Sequence, residues 1–211
     1  MPYVNGKFYM NPSFGRAVEN ARHAEATSHQ YDQRDHEARW VTIAGRHILI
    51  GKAQTQRGLS VIRDRIVAAA RIHEGSSDWA VDKQKDNFAP GTDKCNKFVY
   101  DVTEEAGAKA IVIGRDGKLR PPLAAEWADV KTRISGWRVL GPTEMPRPGD
   151  IAAYKLPGHA RYTGHSGIVT SVDPDGTVHA IAAHKDVVGP DDKFNGAPGR
   201  DVVYRRYEGG Q

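Results

Sequence analysis

Cysteine occurs once among the 211 residues. That excludes an internal disulfide and leaves a reactive thiol open in any compartment. Long apolar runs are missing as well: no stretch of about 18 apolar residues occurs, so no membrane insertion is expected. The start, Met1 to Lys7, lacks a charged segment followed by an apolar one, so a classical signal peptide is not expected. Lys/Arg runs interleaved with aromatics are absent, which argues against a nucleic-acid partner. The net charge is only +4, with 26 acidic residues spread among 30 basic ones. Internal repeats and low-complexity tracts are also lacking. What remains is a chain of 39% hydrophobic residues, long enough to bury a real core.

Residues 1–57 read as an N-terminal extension and 58–211 as the main domain. In the extension, Ser13 can cap a helix with Phe14, Ala17, Val18 and Ala21 on one face. Trp40–Ile50 predicts a hairpin turning at Ala44-Gly45. Residues 51–57 look like a connector. A helix is expected from Gly58, with Leu59, Ile62 and Ile66 on one side and Gly75 as its stop. Residues 76–92 form a loop carrying Trp79 and Phe88, which can serve as a substrate wall or pack on the core. A third helix is predicted after Pro121-Pro122, with Leu123, Trp127, Val130 and Ile134 in register and Gly136 at its end. Strands follow: Trp137–Leu140, Ile151–Tyr154, His165–Val172, Thr177–His184 and Asp201–Tyr207. Helices first and an antiparallel meander second is an α+β pattern.

The thiol lies between these halves. Cys95, Phe98, Val99, Val102 and Ala106 make one apolar stripe, so Cys95 opens a helix with a buried face. Thr92 or Asp93 can cap it, and Gly107 can end it. First-turn N–H groups and the helix dipole favour an anionic sulfur there. A cysteine nucleophile needs a base, and the base needs an orienting group. Of the nine histidines, His165 is the best placed, at the start of a strand after a Gly-containing loop. The next strand runs back beside it with His179 and His184. These two have opposite strand parity, so a regular strand turns only one of them toward His165.

Three segments, Lys94-Cys95-Asn96-Lys97-Phe98-Val99, Arg147-Pro148-Gly149-Asp150-Ile151-Ala152 and Gly164-His165-Ser166-Gly167-Ile168-Val169, resemble in that order the nucleophile, Pro-Gly-Asp and His segments of the NlpC/P60 and CHAP papain-like superfamily. The resemblance spans roughly Gly58 to Tyr207. It implies a helix packed on an antiparallel sheet and cleavage of an amide bond in peptidoglycan stem peptides or cross-links. By position Cys95 resembles the nucleophile and His165 the general base. The third member is His179 if the NlpC/P60 pattern holds and His184 if the CHAP pattern holds, with His184 the first choice. NlpC/P60 enzymes usually have Asp and Ser around the cysteine; Lys94 and Asn96 stand here, which is closer to CHAP-like amidases. Lys94, Asn96 and Trp79 are the expected substrate contacts. The cysteine precedes the histidine, unlike the permuted lipid-acyl branch. Asp150 is expected to orient its turn.

No cofactor is expected. A zinc site on Cys95, His165, His179 and His184 is an alternative, although no close-spaced pair such as CxxC or HExxH occurs. A non-enzymatic wall-binding or phage structural module is the other. A wall hydrolase without a signal peptide would reach the periplasm or cell wall by export, injection or phage delivery. Residues 1–57 would then serve targeting, delivery or regulation, and an injected toxin would have an immunity protein as partner.

Overall fold

The computed structural model describes the backbone of residues 3–4, 7–8, 39–43, 46–50 and 52–56, and residues 57–209 apart from 115–116, 157, 159–162 and 197–200. The helix expected after Ser13 lies outside the described residues. The chain divides into two compact units, Met1–Gly58 and Leu59–Gln211. In the first, β1 (Tyr3–Val4) pairs with β2 (Lys7–Phe8), and β3 (Arg39–Ile43) pairs with β4 (Arg46–Ile50) as an antiparallel hairpin, Trp40 opposite Leu49.

Helix α1 (Lys52–Ile72) starts earlier than the sequence reading placed it. The segment Lys52-Ala53-Gln54-Thr55-Gln56-Arg57 is rich in good helix formers, and an isolated Gly58 does not stop a helix. From Leu59 onward α1 contributes Leu59, Ile66, Ala69 and Ala70 to the core. Helix α2 (Cys95–Glu105) buries the whole expected stripe: Cys95, Phe98, Val99, Val102 and Ala106. Its end is also as expected, with Gly107 at φ +83°. Its start differs. Lys94 is the N-cap residue and offers no side-chain cap, while the Thr92 hydroxyl donates instead to the Ala89 carbonyl.

The predicted third helix shrinks to a single turn, α3 (Ala124–Trp127). Leu123 and Val130, two of its supposed apolar positions, are exposed. The reason is a tertiary competitor. The buried Arg205 guanidinium donates to the carbonyls of Trp127, Asp129 and Thr132 at 2.8, 2.6 and 3.0 Å. Those carbonyls are held by a side chain rather than by a continuing helix. Ahead of α3, a short hairpin pairs β5 (Val112–Ile113) with β6 (Leu119–Arg120).

The remaining strands are β7 (Trp137–Val139), β8 (Ile151–Lys155), β9 (Gly164–Val172), β10 (Val178–Ala183), β11 (Val188–Asp191) and β12 (Val203–Tyr207). They form one antiparallel six-stranded sheet in the order β11-β10-β9-β8-β12-β7. One apolar layer joins α1 and α2 to Ile151, Ala153, Ile168, Ile181, Ala183 and Val188 of this sheet. A second cluster collects Ala152, Tyr154, Val169, Ala180 and Phe194. Helices on an antiparallel sheet make the α+β, papain-like arrangement that the resemblance implied.

The Pro-Gly-Asp turn before β8 is locked from inside. Asp150 is fully buried, takes the Arg147 N–H at 2.8 Å, and accepts two bonds from Arg206 at 3.0 and 2.7 Å. A bidentate pair of this kind fixes both partners in direction as well as distance. Gly149 sits at φ +86°, and a Cβ there would lie 2.7 Å from the Arg63 Cβ on α1. Only glycine lets the turn approach the helix so closely.

Candidate active site

Cys95 is the first residue of α2 and only 5% exposed. No acidic residue occupies the first turn, so no carboxylate opposes an anionic sulfur at the positive end of the helix. The loop leading to it is tied down by Lys94. Its ammonium, buried with the rest of the side chain, donates to the carbonyls of Ala80 and Thr92 at 3.0 Å each. Strand β9 brings His165 to the thiol, with Tyr154 as its register partner on β8. The His165 ring lies parallel to Phe194 at 5.5 Å and is tilted against Tyr154 at 5.7 Å. Gly167 makes room for that stack, since a Cβ there would come 2.8 Å from the Phe194 ring.

The orienting group is Asp191. Its Oδ2 lies 2.7 Å from His165 Nε2. A carboxylate only accepts, so Nε2 carries the hydrogen and Nδ1 is left to meet Cys95. The Asp191 side chain is 0% exposed and that of His165 14%. Burial works against a charged imidazole, but the hydrogen bonds to Asp191 and Cys95 outweigh it and hold His165 up at about 9. Burial likewise raises Asp191, yet the bonds from His165 and from the Lys193 N–H, at 2.9 Å, win and keep its carboxyl below the usual range.

The residues expected in the third position stand elsewhere. His179 is half exposed and bonded to Asp173 at 2.7 Å. His184 follows the end of β10, so strand parity does not fix its direction. Its Nε2 donates to the Pro190 carbonyl at 3.1 Å, and its Nδ1 stands 3.8 Å from Asp191 Oδ2. His184 thus neighbours the orienting carboxylate without being the group that holds His165. Asp191 was missed because Val188-Gly189-Pro190-Asp191 reads as a turn. The structure makes it an edge strand, where proline is tolerated. The run of four residues after a short turn, with Pro190 opposite Ile181, is a signal visible only once β10 is known to need a partner. The far side of β11 is covered by the loop after α1, through Gly75 N–H to the Val188 carbonyl at 2.8 Å and Val188 N–H to the Ser76 carbonyl at 2.9 Å.

The three expected substrate contacts point inward. Lys94 holds backbone carbonyls, as above. Asn96 is buried and donates to the Pro122 carbonyl at 3.3 Å. Trp79 is buried, donates to Asp101 at 2.9 Å and packs edge-on against Phe98 at 5.3 Å. All three are buried, with their polar atoms bonded to groups of the protein itself.

A thiol at a helix start, a base on a sheet and a buried carboxylate behind the base can together carry out nucleophilic acyl transfer. Comparison with known proteins points the same way. The family model for the CHAP domain matches residues 84–184, a span holding Cys95 and His165 but ending before Asp191. No curated protein and no solved structure matches the chain. The matched segment, the α+β fold and the ordered motifs support the CHAP/NlpC-P60-like superfamily, whose CHAP domains are in general peptidoglycan amidases or peptidases.

Proposed function

We propose that this protein is a cysteine-dependent peptidoglycan hydrolase that cuts an amide bond in stem peptides or cross-links through a thioester. The observation that carries the reading is the buried Cys95–His165–Asp191 line, with Asp191 2.7 Å from His165. In this mechanism the Cys95 proton passes to His165 Nδ1, and the sulfur attacks the carbonyl carbon. The developing oxyanion meets backbone N–H groups of the first α2 turn, those of Cys95 and Asn96, which no side-chain cap at Lys94 occupies. His165 returns the proton to the leaving amine, and the C–N bond breaks. Water, deprotonated by His165, then attacks the thioester, and the sulfur leaves as thiolate. Asp191 stays ionised throughout and supports the imidazolium.

A wall-binding module would have no use for a base held ready beside a thiol, which weighs against the non-enzymatic alternative. The test is incubation of purified peptidoglycan with the protein and mass analysis of the products. Muramoyl–alanine, stem-peptide and cross-link cuts each give different masses. Cys95→Ala is expected to release none of them, and lysis of sacculi by that variant at the native rate would refute the reading.

A further inference from the structure

The sequence reading weighed a metal on Cys95, His165, His179 and His184. The fold removes His179 from that set and supplies Asp191. We propose that His165, His184 and Asp191 form an inhibitory site for a divalent transition metal of the zinc class. Its occupation and the catalytic use of His165 are mutually exclusive. The inhibitory consequence rests on His165 being the general base; the metal site itself rests on geometry.

His165 Nε2 lies 2.7 Å and His184 Nδ1 3.8 Å from the same oxygen, Asp191 Oδ2, and the three donor atoms all fall within 4.8 Å of one another. Bonds near 2.0–2.1 Å in a tetrahedral site separate ligand atoms by about 3.3 Å, so each distance to Asp191 Oδ2 changes by about half an ångström and the two histidine nitrogens, within 4.8 Å of each other, close by up to about 1.5 Å through side-chain rotation. The surroundings are those of metal ligands. A ligating histidine ordinarily donates its other ring N–H to a carbonyl or carboxylate, and a ligating carboxylate is itself hydrogen-bonded. His184 donates its Nε2 hydrogen to the Pro190 carbonyl at 3.1 Å and turns Nδ1 toward Asp191, the nitrogen through which a neutral ring would bind a metal. Asp191 Oδ1 accepts the Lys193 N–H at 2.9 Å. His165 has Cys95 as the partner for its other nitrogen. His184 Nδ1 and Asp191 Oδ2 therefore face each other at 3.8 Å, beyond direct hydrogen-bond distance, where one ion can bridge them. Among the described residues, the Lys193 ammonium is the lysine or arginine charge paired with Asp191, 4.0 Å from Oδ2. The His184 side chain is 29% exposed, whereas that of Asp191 is closed off at 0%.

Binding replaces the hydrogen between His165 and Asp191 with the metal and releases one proton to solvent. Nδ1 then carries the remaining ring hydrogen. It can face the thiolate, but it can give that hydrogen to a leaving amine only by becoming an imidazolate. Turnover stops at amine release.

The experiment titrates ZnCl2 into full-length Cys95→Ala protein by calorimetry, so that the thiol contributes nothing. One zinc per chain is expected. Adding His184→Gln should weaken it at least tenfold, while adding His179→Gln should not, with circular dichroism melts showing that each variant is folded. In the native protein, zinc should halt sacculus lysis and EDTA should restore it. His184→Gln should need at least tenfold more zinc for the same fractional inhibition. No zinc on Cys95→Ala, or equal affinity with and without His184, overturns the proposal. Zinc bound in the expected pattern by a protein that never cleaves peptidoglycan would overturn the hydrolase reading and leave the site standing.

Discussion

Asp191→Ala is the most direct probe of how this site is powered. His165 sits at about 9 against an ordinary 6.5, which at about 1.4 kcal/mol per pH unit is a preference of roughly 3 kcal/mol for imidazolium. Burial opposes that preference, so the favourable contacts supply more than the net. Four charged or titratable groups bear on the pair: Cys95 and Asp191 on His165, and His184 and Lys193 on Asp191. Removing Asp191 leaves Cys95 to hold the charge against the same desolvation. His165 is therefore expected to titrate at least one pH unit lower, corresponding to more than about 1.4 kcal/mol. The assay is proton NMR of the His165 ring across pH in EDTA, in the native protein and in the variant, paired with the pH profile of sacculus lysis. In the native protein activity should fall on the basic side near pH 9 as the imidazolium is lost. In the variant that limb should move to lower pH and the maximal rate should drop by roughly 100-fold or more. Because the folded His165 value is raised, its stabilising contribution is complete below 6.5 and disappears as pH rises through about 9. Asp191 is lowered, so its own contribution is present above 3.8 and fades as pH falls below that. A variant in which His165 still titrates near 9 would refute the assignment of Asp191, and a matching loss in His184→Gln would return the orienting role to His184.

Three further outcomes follow from the packing. Asp150→Ala leaves Arg206 buried without its carboxylate and should destabilise by about 3–5 kcal/mol, read as a shifted midpoint in urea; a change under 1 kcal/mol would mean that the turn is held by something else. Lys94→Met leaves the Ala80 and Thr92 carbonyls without their donor and should cost about 1–3 kcal/mol. An unchanged melting temperature with a raised KM would instead make Lys94 a substrate contact. Gly58→Ala lies inside α1, where an added Cβ meets nothing within 4 Å, and should raise stability by roughly 0.5–1 kcal/mol; a lower melting temperature would show that the helix needs the glycine.

Local pattern was enough for the elements whose reason to exist is local. The apolar stripe of α2 follows from a 3.6-residue period, and Gly107 at positive φ ends it as glycine can. The strands Ile151–Lys155 and Gly164–Val172 follow from apolar runs between turn residues, and Asp150 reads as a turn residue before any partner is known. The same logic overreached after Pro122, where an in-register set of apolar residues predicted a long helix. Arg205, 78 residues beyond Trp127 in the chain, captures those carbonyls instead, and no window of sequence contains that competition.

By itself, then, the sequence determined that there is one thiol, that it opens a buried-face helix, and that a histidine begins a later strand. These are facts of period, capping and order. Which group holds that histidine was decided by the tertiary structure. Asp191 owes its place to an edge strand hidden behind Gly189-Pro190, which exists only because β10 offers it a ladder on one side and the loop after α1 covers it on the other. The same is true of Lys94, Asn96 and Trp79. Their types suggested a binding surface, and only the packing shows that their polar atoms are spent on carbonyls and a carboxylate. Hydrogen-bond partners far apart in the chain are chosen by the fold as a whole, because a buried polar group takes whatever partner the packed elements bring within reach.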